Sequence, residues 1–315
     1  MKPWVLGLVV ALLGAAPAQE KKPKLVAVTP EQGGADYQVQ GEYEGGKMGA
    51  QVVAKGDGTF EVYFLGGGLP GAGWDQKARL KAAAKTDGGK TSFEGSGYSG
   101  SIGEGALNGK GPDGDLALKR VVRKSPTEGA KPPAGAVVLF DGTSAAEWDK
   151  DKLENGVLTT YKSGNLNTKK KFGNVKVHVE FMLSFMPHDG GQGRSNSGVY
   201  LAGRHEVQVL DSFGLKGENN ECGGLYTIAK PAVNMCFPPL QWQTYDIEYR
   251  LATAEKGAVI SVHHNGVKIH ENVEIKAGKT TAATDKNAPD TPGPLHLQDH
   301  GNPVFYRNIW LVEEK

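Results

Sequence analysis

The sequence predicts an all-β protein: a two-sheet antiparallel sandwich preceded by a small β-rich module. Three observations carry this. Glycine is abundant, at 45 of 315 residues, and proline adds 17. Short runs alternate apolar and polar residues between turn signals such as Gly-Asp-Gly, Asp-Gly-Gly and Asn-Gly. Long helical periodicity is nearly absent, so the strands are expected to pair through turns and not through crossover helices. The length allows roughly two domains.

Residues 1–18 have Lys2, an apolar run from Trp4 to Leu13, and Ala16-Pro17-Ala18. This fits a secretory signal peptide cleaved after Ala18. The alternative, a membrane anchor, needs roughly 20 apolar residues, and the run is shorter. The mature chain is therefore expected to be exported, periplasmic or extracellular, with no membrane span. A charged spacer follows over 19–34.

The β-rich module is expected over 35–122. "GDGTFEVYFL" is its best hairpin return, with Phe60, Val62 and Phe64 on one face. The Gly-rich "GGGLPGAGWD" is not a phosphate cradle, because neither a helix signal nor Gly-Lys-Ser/Thr follows it. Trp74 within it is a candidate to stack on a sugar or to pack in a core. A Pro/Gly-rich linker spans 123–136, and the sandwich spans 137–315. In "HHNGVKIH" the Asn265-Gly266 pair marks a hairpin.

The strand beginning at Asn174 turns Val175, Val177, Val179, Phe181 and Leu183 one way, and His178 and Glu180 the other. In "HEVQVLDS", Val207 and Val209 oppose Glu206 and Gln208. If one curved sheet exposes a ligand face, these four polar residues are expected side by side on it. Cys222 and Cys236 are the only cysteines. An oxidising compartment allows a disulfide between them, and two buried free thiols are the alternative. A net charge of +1 supplies no basic field for nucleic acid, so no nucleic-acid partner is expected.

The second module resembles the 3-keto-disaccharide hydrolase family, also described as 3-keto-glucoside 1,2-lyase and 3-keto-2-hydroxy-glucal hydratase domains. The resemblance rests on "LFDG", "NSGVYLAGRHEVQVLDS", "GGLY", "QWQTYDIEYR", "HHNGVKIHENVE" and "GPLHLQDHGNPVFYRNIW", from about Val137 to Glu314. It implies a concanavalin A-like (laminin G-like) jelly roll and a partner: a glycoside whose sugar carries a ketone at C3. The resemblance also implies C2 deprotonation, β-elimination of the C1 substituent and rehydration, a net hydrolysis. That chemistry needs a base, a holder for the enolate oxygen, and an acid for the leaving group.

Glu206, His300 and Asp211 are the candidate acids and bases. Glu206, Gln208 and Asp211 also echo the E-x-D-x-x-E strand of laminarinase-type glycosidases. There Gln208 replaces the central acid, and a bulge would be needed to bring Glu206 and Asp211 to one face. Each has a bland alternative: a solvated sheet residue for Glu206, a turn opener for Asp211. Glu180, His178, Arg204, Gln208, Tyr200, Gln298, Asp299 and His263 are candidates for holding the sugar. Asp299 is equally a turn residue bonding backbone N–H groups. Of His263 and His264, which alternate faces, His264 is expected in solvent. Trp242 and Trp310 are stacking or core residues. Arg194 and Asn196 lie in the "HDGGQGRSNSG" loop, where His188 and Asp189 are candidate ligands for a divalent metal. No metal or cofactor is required by the sequence, and the oligomeric state is open. The competing readings are a non-catalytic carbohydrate-binding sandwich and a glycosidase acting on unoxidised glucans.

Overall fold

In the computed structural model, residues 23–162, 164–281 and 290–314 are described. The expected signal peptide lies outside them. Strands β1 (Gly41–Gly45), β2 (Met48–Gly56), β3 (Thr59–Gly66), β4 (Arg79–Asp87), β5 (Lys90–Gly95), β6 (Tyr98–Gly103), β7 (Ala106–Gly111) and β8 (Gly114–Val121) form an antiparallel meander. Pairing of β1 with β8 closes it into a barrel. Eight strands leave an interior that side chains just fill. Val52, Phe60, Val62, Phe64, Phe93, Ile102 and Leu118 do so, and Phe64 stacks on Tyr98 with ring centres 4.0 Å apart.

One helix, α1 (Pro30–Val39), precedes the barrel, so the expected spacer ends in ordered structure. Local capping makes it. The Thr29 side chain accepts the Gln32 N–H, Gln32 Oε1 accepts the Thr29 N–H, and Pro30 occupies the first turn. With a break at Gly34 and only Gly33 and Tyr37 buried, it has no long apolar period to read.

The sandwich has two sheets. The large one contains β9 (Val137–Phe140), β10 (Leu153–Glu154), β11 (Val157–Thr159), β13 (Val175–Leu183), β16 (Trp242–Arg250), β17 (Ala258–His264), β18 (Val267–Ile275) and β20 (Val304–Glu313). Its order is β10-β11-β20-β13-β16-β17-β18, with β9 also on β20. The small sheet, β12-β19-β14-β15, comprises β12 (Leu166–Asn167), β14 (Asn196–Leu201), β15 (His205–Leu210) and β19 (His296–Leu297). The inner faces meet in one core that includes Val177, Val179, Phe181, Val199, Val207 and Val209, as the alternation predicts. Asn265 (φ 50°) and Gly266 (φ 78°) make the expected tight turn between β17 and β18. Among the described residues no helix is long and apolar enough to cross a membrane.

The stretch read as a linker is a strap across the outer face of the large sheet. Ser125 Oγ lies 2.6 Å from Thr244 Oγ1, and Thr127 donates to Asp246 Oδ2 at 2.7 Å. The Gly129 N–H reaches Glu180 Oε1 at 2.6 Å, while Asn308 and Trp310 donate to the Ala130 carbonyl.

Candidate active site

Two polar clusters flank the sandwich, on opposite outer faces. Stacked sheets lie about 10 Å apart, so His178 and Glu180 do not stand beside Glu206 and Gln208, contrary to the sequence expectation. Alternation assigns a residue to the inner or outer side of its own sheet and says nothing about which sheet that is.

The His178–Glu180 cluster lies under the strap and is saturated. Glu180 accepts from Gly129, Asn308 and Arg307, and its carboxylate also lies 3.5 Å from His178 Nε2. Burial alone would raise its pKa. These partners instead hold it at about 2. His178 Nδ1 is 2.6 Å from Asp246 Oδ1, and the ring stacks on Trp310. Although burial opposes it, Asp246 and Glu180 hold the His178 pKa above its ordinary value. Half-buried His263 pairs across from Asp246 on the same sheet, away from Glu206. His264, expected in solvent, is fully buried against Gln243, and burial pushes its pKa down to about 3.

The outer face of the small sheet differs. Glu206 on β15 is opposite Tyr200 on β14, and the Tyr200 phenol donates to Glu206 Oε2 at 2.7 Å. Among the described residues this is the single donor to that carboxylate. Glu206 is only 2% exposed, and burial pushes its pKa up to about 7, against the opposing pull of Tyr200. Gly198 makes room: a Cβ there would stand 2.3 Å from Glu206 Oε1. Gln298, from the β19 side, donates to the Tyr200 hydroxyl at 3.0 Å.

His296 shares this face and was not singled out from the sequence. Its ring meets Tyr200 edge-on at 4.7 Å, and Nδ1 lies 2.8 Å from Asn167 Oδ1. Asp149 accepts the Asn167 amide N–H at 2.9 Å, which fixes the amide so that His296 Nδ1 is the donor. Nε2 therefore carries the lone pair, and burial holds the ring's pKa at about 4. The signal was the His296/Gln298 alternation in "HLQ".

Next to Glu206, Gln208 and Asn196 both donate to Gln192 Oε1, at 3.0 and 3.1 Å. Gln208 Oε1 and Asn196 Oδ1 are buried acceptors with no donor among the described residues. Two such oxygens beside a buried acid suit hydroxyl-bearing ligands.

The remaining candidates have other roles. Asp211 lies beyond the end of β15 and accepts from Arg194 Nε at 2.6 Å and from the Phe213 N–H. No bulge returns it to the Glu206 face. Arg204 is fully buried, bound to Asp290 and the Lys279 carbonyl. Asp299 accepts the Gly164 and Gly301 N–H groups, so it is a turn residue. His300 is exposed, with no hydrogen bond or ion pair among the described residues. Trp310 serves the strap, Trp242 lies under the Arg307 guanidinium, and Trp74 packs against the sandwich core. Cys222 and Cys236 are unbonded thiols, correcting the disulfide expectation. Cys222 Sγ lies 3.2 Å from the Tyr245 hydroxyl, and Cys236 Sγ faces the Leu210 and Phe237 carbonyls.

The domain carrying this face matches the 3-keto-alpha-glucoside-1,2-lyase-like domain over residues 135–312. The chain belongs to that family. A crystal structure from Parabacteroides distasonis, provisionally named a glycosyl hydrolase, is similar at 30% identity and a TM-score of 0.51, covering 58% of this chain and 85% of its own. Two more from that organism, with the same kind of name, are each 20% identical. They cover 62% and 57% of this chain and 99% of their own, with TM-scores of 0.46 and 0.42. No curated protein matches. The family and the 30%-identical structure point to a glycosyl-hydrolase-like enzyme. The match begins after the barrel, which is an addition to the family domain.

A divalent metal finds no obvious seat. Among the described residues no three His, Cys, Asp or Glu side chains are grouped to hold one. The Glu206 face offers one carboxylate with amides and a phenol. His188 receives the Leu25 N–H at 3.4 Å and Asp189 pairs with Lys24 at 2.5 Å, so both of those candidate ligands serve packing.

Proposed function

We propose that the chain is an exported enzyme that cleaves 3-keto-glycosides by elimination and hydration, with Glu206 moving the protons. The observation that carries this reading is Glu206 itself: a buried carboxylate with one phenol donor and a pKa near neutrality, on the small-sheet face of a domain of this family. A group titrating near pH 7 serves as base and, once protonated, as acid. The leader-like first 18 residues support export.

A C3 ketone acidifies the C2 hydrogen. Glu206 takes that proton, and the C2–H electron pair passes onto the C3 oxygen as an enolate. The enolate collapses, C1=C2 forms, and the C1–O bond breaks. Protonated Glu206 gives its proton to the leaving oxygen. Water then adds oxygen to C1 and hydrogen to C2, completing a net hydrolysis. When Glu206 is protonated, the Tyr200 hydroxyl is free to turn to the enolate oxygen. His296 Nε2, Gln208 Oε1 and Asn196 Oδ1 offer acceptors for sugar hydroxyls.

Incubation with 3-keto-trehalose and with trehalose tests the reading. The expected result is release of 3-keto-glucose and glucose from the first alone, abolished in Glu206→Gln. Equal cleavage of unoxidised trehalose would indicate a direct glycosidase. Sugar binding without turnover would indicate a carbohydrate-binding module.

A further inference from the structure

We propose that the N-terminal barrel is a positioning element for the active site, acting through the connection between β13 and β14. This rests on the reading above and goes beyond it by giving the barrel a part in substrate binding.

The connection, residues 184–195, is fastened at its first end to the segment before the barrel and to the barrel itself, and at its far end to the barrel. Phe185 and Ala27 exchange backbone hydrogen bonds of 2.9 Å, and the Phe185 ring packs edge-on against Tyr37. The His188 ring lies against bare backbone at Gly56, where a Cβ would come within 2.3 Å of it. At the far end, Arg194 donates through Nη1 to the Ala54 carbonyl of β2, at 3.4 Å.

Between these anchors runs Gly190-Gly191-Gln192-Gly193. Three glycines give the apex little stiffness of its own. Yet Gln192 must stand in one place: its backbone carbonyl accepts from Asn196 at 2.8 Å, and its Oε1 accepts from both Asn196 and Gln208. The oxygens of those two amides are buried and have no donor among the described residues. The anchors hold the backbone of this apex, the Asn220 carbonyl accepts from Gln192 Nε2 at 2.7 Å and sets its side chain, Gln192 fixes the two amides, and the amides receive substrate hydroxyls. Gly56, His188 and Arg194 are thus positioning residues, and the barrel's influence falls on substrate binding more than on proton transfer.

The test uses full-length His188→Ala, Gln192→Ala and the double variant, with His188→Asn as the conservative partner. The His188 side chain is 26% exposed, so truncation leaves no core cavity. With 3-keto-trehalose, each single variant should raise KM by about fivefold or more while kcat stays within about twofold. The double variant should match Gln192→Ala, because both act along one path, and His188→Asn should recover most of the loss. Amide exchange of residues 187–194 should accelerate in His188→Ala at an unchanged melting temperature. A normal KM in His188→Ala, additive effects in the double variant, or unaltered exchange over 187–194 would overturn the proposal. Absence of wild-type turnover would count against the reaction itself, and the exchange measurement would still decide the coupling.

Discussion

Replacing Glu206 by Gln should make the protein inactive and, above neutral pH, more stable. Glu206 is buried beside Tyr200, and its pKa in the folded chain is about 7 against an ordinary 4.5. The folded state therefore holds this proton more tightly than the unfolded state does. Stability from this group is complete below pH 4.5 and is lost as pH rises through 7. The gap of about 2.5 pH units, at about 1.4 kcal/mol each, gives a loss of about 3 kcal/mol by pH 8.5. A glutamine carries no such penalty. It keeps the Tyr200 donor but puts an N–H₂ where a carboxyl oxygen stood, and the neighbouring Gln208 amide, held by Gln192, must shift to receive it, which costs about 1–2 kcal/mol at every pH. The two stability curves should therefore cross. The variant should be less stable than the parent by about 1 kcal/mol at pH 4.5 and more stable by about 1–2 kcal/mol at pH 8.5. Melting curves from pH 4.5 to 8.5 measure this, with midpoints separating by a few degrees at each end. Parallel curves would refute the reasoning, because they would mean that Glu206 ionises at its ordinary pH despite its burial.

Two further perturbations separate the site from its scaffold. Tyr200→Phe removes the phenol that lowers the Glu206 pKa, so the rising limb of the pH–activity profile should move up by about one unit. An unmoved profile would exclude Glu206 as the titrating group. Asp211→Asn breaks the buried Arg194–Asp211 pair and should lower stability by about 3 kcal/mol in urea titrations. It should leave the pH profile of the remaining activity in place, and a displaced profile would return Asp211 to the proton chemistry.

Much of the fold was legible because alternation and turn chemistry are local. The β13 and β15 valines face the core as their spacing requires, and Asn265-Gly266 makes its hairpin. The site was legible only in part, because sheet membership is a long-range fact. Glu206, Gln208, Tyr200 and Gln298 converge on one face, whereas His178 and Glu180 obey the same alternation on the other sheet. His296 was passed over for His300 because β19 ends at Leu297, leaving His300 beyond the last residue that points toward Tyr200. The strap read as a tether because Pro and Gly mark irregular backbone, and irregular backbone can still be bound along its length. The helix at Pro30 escaped because its signal is a cap without an apolar period.

The most direct measurement is isotopic. In D₂O, at times short compared with spontaneous enolisation of the ketone, wild-type protein acting on 3-keto-trehalose should yield 3-keto-glucose carrying deuterium at C2. Glu206→Gln should yield none. Product released at full rate with its original C2 hydrogen would contradict elimination and leave Glu206 without its assigned role.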